Sequence, residues 1–173
     1  MGLFDKLFSK KEKEPAAPNA DEIIIEKPYG KFKYFSHPNV GEYGYEIFTT
    51  GEEDEIDVYL DTDSPETTEA SLCFGRYEEF LSDKENRIYE LRKIIVEYFL
   101  FKPDMIPEGY DEEKMMEKTK LTCMGFFRNG DVQYSFYDVG AYAEDVHLTV
   151  KKDGSRELEY RDYDQNEYKE NVW

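Results

Sequence analysis

The chain has 173 residues, with 40 acidic against 22 basic side chains and a formal net charge of -18, a balance that repels nucleic acid and anionic lipid and attracts a basic partner. Its 15 Tyr and 12 Phe, within 39% hydrophobic residues, exclude the aromatic-poor composition of a disordered chain, and the length suits one domain. No apolar run approaches the roughly 20 residues of a membrane-spanning helix, which excludes a transmembrane role.

In the first segment, Leu3, Phe4, Leu7 and Phe8 share one helix face, with Lys6 and Lys10 elsewhere around it. Such a face suits weak contact with a membrane surface or a partner; a solvated tail is the simpler reading, because so few apolar residues bind only reversibly. Lys6 stands where a myristoylation signal needs Ser or Thr, so Gly2 is not read as a lipid site. Pro15 and Pro18 give residues 13–20 a linker composition. Residues 1–28 therefore read as an amphipathic head and flexible linker, ahead of a single domain over 29–161.

In that domain Phe32 and Tyr34 alternate with Lys31 and Lys33, and Tyr45 and Ile47 flank Glu46, the pattern of strands. His37, before Pro38, reads as a loop residue. The clearest strand places Ile56, Val58 and Leu60 on one side and Asp57, Tyr59 and Asp61 on the other, as in a half-buried antiparallel strand. Ser64, Pro65 and Glu66 predict a helix start, with Ala70, Cys73, Phe74, Tyr77 and Leu81 on its inner face. Ser82 and Asp83 permit a second start, followed by the stripe Ile88, Leu91, Ile95, Tyr98 and Phe99, widened by Ile94, Val96 and Leu100 and stopped at Pro103.

Asp111 predicts the cap of a short helix through Met116. A hairpin then joins residues 121–127 to 132–137 through Asn129-Gly130, a pair that tolerates a type I′ turn. Val146, Leu148 and Val150 alternate with His147 and Thr149, placing His147 on the surface. Asp153-Gly154 turns the chain into a last strand over 157–161. Strands, helices, then strands is the order of an α+β fold, an antiparallel sheet with a helical pair packed on one face. The tail 162–173, with Tyr163, Tyr168 and Trp173 among carboxylates, suits fraying, covering a sheet edge or anchoring a partner.

No metal site is expected, since His37 and His147 are isolated and the two cysteines, Cys73 and Cys123, read as free buried thiols of a cytoplasmic chain. Nine carboxylates fall between positions 52 and 69 with no Lys or Arg among them, but an EF-hand starting at Asp61 lacks its Gly and terminal Glu. No phosphate-cradling loop, nucleophile elbow or singled-out carboxylate pair occurs, so neither a cofactor nor a catalytic residue is expected. Apart from the small patch Lys31-Phe32-Lys33-Tyr34, no basic aromatic stripe suggests nucleic acid.

Tyr43-Gly44-Tyr45-Glu46, Ile56-Asp57-Val58-Tyr59-Leu60-Asp61, Phe136-Tyr137-Asp138 and Val146-His147-Leu148-Thr149-Val150 together resemble bacterial families catalogued as domains of unknown function, over about residues 30–160. The loop Gly140-Ala141-Tyr142-Ala143 departs from that pattern. Some such proteins neutralise toxins encoded beside them, so the resemblance implies an immunity-type role and carries over no catalytic motif. The leading expectation is an acidic module that docks a basic protein through Glu52, Glu53, Asp54, Asp57, Tyr59 and Asp61. The alternative is an accessory domain at the inner face of the membrane, held there by Leu3, Phe4, Leu7 and Phe8. A hydrolase with a carboxylate pair ranks third.

Overall fold

A computed structural model describes residues 24–37, 45–49, 56–62, 66–162 and 168–172. Four strands come first: β1 (Ile24–Lys27), β2 (Gly30–His37), β3 (Tyr45–Thr49) and β4 (Asp57–Asp61). Helices α1 (Thr68–Leu81), α2 (Lys84–Leu100) and α3 (Glu112–Lys118) follow, with a 3-10 turn at Pro103–Met105. The chain then returns through β5 (Lys120–Phe126), β6 (Val132–Tyr137), β7 (Ala143–Val150), β8 (Arg156–Asp162) and β9 (Tyr168–Val172). The nine described strands form one sheet in sequence order.

Neighbouring strands are antiparallel except β4 and β5, which run parallel because the helices carry the chain back across the sheet between them. The expected α+β architecture is present, but β4 is antiparallel only to β3. Two further expectations change at the edges. Ile24–Lys27, inside the segment read as linker, pairs with β2, and His37 ends that strand opposite Tyr45. In the tail, Tyr168–Val172 covers the edge of β8, one of the three uses its composition allowed.

Thr67 caps α1, its hydroxyl accepting from the Ala70 N–H at 3.1 Å; the cap expected at Ser64 and Pro65 lies outside the described residues, and the helix begins after them. Asp83 precedes α2, and Asp111 caps α3 by accepting from the Lys114 N–H at 2.9 Å. At the β5–β6 hairpin only Gly130 is left-handed, with φ 97°, so the expected type I′ turn is not formed. The Gly130 N–H donates to the Phe127 carbonyl and the Phe127 N–H to that of Asp131, the pattern of a type I turn closed by a left-handed glycine.

The core lies between the helices and one face of the sheet. From α1 come Ala70, Cys73, Phe74, Tyr77 and Phe80, and from α2 Leu91, Ile95, Val96 and Phe99. They meet Phe32, Val58, Leu60, Met124, Phe126, Phe136, Val146, Leu148, Leu158 and Tyr160. Edge-on ring pairs knit the layers, Phe32 with Phe74 at 5.1 Å and Phe99 with Tyr160 at 5.3 Å. Each large side chain so buried stabilises the fold by about 1.5–3 kcal/mol before entropy is counted. Among the described residues no helix is long and apolar enough to cross a membrane.

Candidate functional site

Because side chains alternate across a strand, everything paired with the core positions at even spacing points at the helices, and the intervening residues form the opposite face. Register lines those intervening residues into rows. Asp57, Cys123, Ser135, His147 and Glu159 are successive Cα partners from β4 to β8. At about 4.8 Å per strand, Asp57 and Glu159 are about 19 Å apart along this row, which continues on β9 to Glu170, the Cα partner of Glu159. The neighbouring row runs Tyr59, Gly125, Gln133, Thr149 and Glu157. A Cβ on Gly125 would stand 3.2 Å from the Phe127 ring, so the glycine makes room for an aromatic to lie over this face.

Two irregularities produce the alignment. A bulge between Leu121 and Cys123 shifts β5 against β6, and another between Glu144 and His147 shifts β7 against β8, with Asp145 left-handed at φ 46°. Such bulges re-aim side chains locally. They keep Met124, Phe126, Val146 and Leu148 in the core while bringing Cys123, Ser135 and His147 into one row.

The middle of the row is polar and half-buried. Ser135 Oγ and His147 Nδ1 are 2.9 Å apart. Burial holds the His147 imidazole below its ordinary range, against the opposite pull of Asp145 and Glu159, so the ring is neutral near pH 7. Burial first and Asp57 second push the Cys123 thiol up to about 12, although its hydrogen bond to Ser135 acts the other way. Cys73, on the buried face of α1, donates to the Phe126 carbonyl and is pushed up to about 11, again mainly by burial. Burial thus favours the protonated thiol at both positions.

Ser135 and His147 form a hydroxyl and base within proton-transfer distance, and Glu159 is the cross-strand neighbour of His147. Acyl transfer on such a pair also requires free donors for an oxyanion, whereas Ser135 lies in mid-ladder between β5 and β7, where backbone amides are occupied by their neighbours. Among the described residues no group of three or more His, Cys, Asp or Glu could hold a metal ion.

The sequence-derived docking residues divide. Asp57 is exposed at the end of the first row and Tyr59 is half-buried in the second. Asp61 is engaged: its carboxylate accepts from Arg128 Nη2 at 2.7 Å and Nε at 3.0 Å, tying the β5–β6 hairpin to the end of β4. Glu52, Glu53 and Asp54 lie outside the described residues, as do Leu3, Phe4, Leu7 and Phe8.

Register adds Glu157 and Glu159 to the face, and strand alternation adds Tyr137, which is 68% exposed. Glu157 is paired with Lys151, while Asp57 and Glu159 have no ion-pair partner among the described residues. His147, read from sequence as a surface residue, does point away from the core but is half-covered and bonded to Ser135. Alternation in 146–150 and 157–161 shows which residues point outward; which of them become neighbours depends on register. No protein-family model, curated protein or solved structure matches the chain.

Proposed function

We propose that the chain is a protein-binding module that docks a basic partner on the sheet face opposite the described helices. The observation that carries this reading is one cross-strand row holding Asp57 and Glu159, carboxylates with no ion-pair partner among the described residues, and continuing to Glu170 on β9. Tyr59 and Tyr137 on the same face supply the aromatic contact area that anchors interfaces. The surrounding charge of -18 steers a cationic protein towards it. An immunity-type or accessory role in the cytoplasm fits that chemistry, with inhibition by binding as its means and no catalytic turnover.

Affinity capture from native cells, comparing the full chain with Asp57→Lys/Glu159→Lys, tests the site. The expected result is a basic protein retained by the first and lost from the second, with unchanged thermal stability of the variant. Equal retention by both removes the sheet face as the docking site.

A further inference from the structure

An open cleft of about 520 Å³ lies between α2, the end of α3 and the start of β5. Its size falls within the range of small-molecule sites, about 300–1,000 Å³. Ile56, Ile88 and Leu121 give it an apolar wall, and Arg92, Lys120 and Glu117 supply its charges. Ile88 and Arg92 are four residues apart on α2, which sets the guanidinium directly beside the apolar surface.

Arg92 is unlike most of the chain's arginines. Arg76 donates to the Gly130 carbonyl, Arg87 to Glu79, Arg128 to Asp61, and Arg161 to Glu144. The Nε of Arg92, like that of Arg161, is buried with no acceptor among the described residues. A buried N–H of this kind is a donor that an incoming acceptor can satisfy. The hydroxyl of nearby Thr119 is already engaged with the Met115 and Val139 carbonyls, so the free recognition groups are the guanidinium and the Lys120 ammonium.

We propose that this cleft binds a small aliphatic monocarboxylate, with the carboxylate on Arg92 and the chain along Ile56, Ile88 and Leu121. The planar fork of a guanidinium matches a carboxylate in geometry. Charge selects a single negative charge: Arg92 and Lys120 against Glu117 leave a net +1, which a monoanion neutralises. A phosphate dianion would meet Glu117 with its second charge unmatched. The cleft borders the docking face, since Lys120 is the cross-strand partner of Tyr137, but Arg92→Gln leaves Asp57 and Glu159 unchanged, so the two readings fail separately.

Calorimetric and NMR titration of the full chain with butyrate, hexanoate and octanoate, alongside hexanol and hexyl phosphate, tests the assignment. Each added methylene is expected to tighten binding about fourfold. Hexanol, which lacks the charge, is expected to bind about tenfold or more weakly than hexanoate, and amide shifts should centre on Ile88, Arg92 and Leu121. Arg92→Gln is expected to weaken octanoate about tenfold or more at unchanged thermal midpoint, with Arg92→Lys intermediate. Lys120→Gln, on an exposed side chain, provides a second variant that leaves the core untouched, and it too should weaken binding. The proposal is overturned if octanoate moves no cleft amide, if Arg92→Gln and Lys120→Gln bind as the parent does, if hexanol equals hexanoate, or if hexyl phosphate binds more tightly than hexanoate.

Discussion

Replacing Asp61 by Asn removes the anion that holds the β5–β6 hairpin against the end of β4 while preserving the shape of the side chain. The carboxylate accepts from Arg128 Nη2 at 2.7 Å, from its Nε at 3.0 Å and from its backbone N–H at 3.4 Å. The Asp61 side chain is 16% exposed and that of Arg128 40%, so the pair is screened by water on one side only. Exposed ion pairs contribute up to about 1 kcal/mol, and the two-pronged guanidinium contact places this one at the upper end. A double-mutant cycle with Arg128→Gln, read by urea unfolding, should therefore give a coupling energy of about 1 kcal/mol. In a domain of this size the Asp61→Asn change alone should lower the thermal midpoint by about 2–4 °C. Asp57→Asn, which has no ion pair among the described residues to lose, should stay within about 0.5 kcal/mol of the parent. A coupling energy below about 0.3 kcal/mol, or equal losses for the two Asn substitutions, would refute the division of these acids into one structural and one free.

Three further outcomes follow from burial and titration. Phe99→Ala, which empties a fully buried site against the Tyr160 ring, should cost about 3–5 kcal/mol in urea unfolding, whereas Phe101→Ala, at a position 87% exposed, should cost under about 0.5 kcal/mol. The folded chain holds the His147 proton less tightly than the unfolded chain, whose histidine titrates near 6.5. Between the two pKa values the unfolded state thus binds more protons, and stability falls as pH drops below 6.5. His147→Gln should flatten that part of the pH profile, and an unaltered slope between pH 7.5 and 5 would contradict the burial argument. With Cys123 moved from 9.0 to about 12, its thiolate at pH 8 is roughly a thousandfold scarcer than in the unfolded chain. Iodoacetamide labelling followed by peptide mass spectrometry should therefore find it nearly inert until urea is added, and prompt labelling of the native chain would count against this.

Local pattern in the sequence carried most of the architecture. The alternation of Val58 and Leu60 with Asp57 and Tyr59, and the stripe from Leu91 to Phe99, both report one-sided burial, and both elements bury those residues. The start of α1 was misplaced because Ser64 and Thr67 carry equivalent capping hydroxyls, and packing of Ala70, Cys73 and Phe74 against the sheet decides between them. β1 was missed because a four-residue edge strand, Ile24–Lys27, has too little alternation to stand out from its Lys, Glu and Pro surroundings.

Pairing was less legible. A strand has the same alternation whether its neighbour is parallel or antiparallel, so the β4–β5 pairing depends on how the helices return the chain. The cross-strand row from Asp57 to Glu159 depends on two bulges, at Leu121/Cys123 and Glu144/His147, whose positions no periodicity announces. The acidic density around positions 52–61 falls on β4, which contributes Asp57 and Tyr59 to the outer face of the sheet, but it also includes Asp61, whose carboxylate the fold uses to hold a hairpin.

The association rate of the captured basic partner, measured by stopped flow from low to high salt with the full chain and with Asp57→Lys/Glu159→Lys, tests the docking face most directly. The expected result is a rate about tenfold slower for the variant at low salt, a shallower salt dependence, and convergence of the two as screening rises. Identical rates and identical salt dependence would contradict docking at this face.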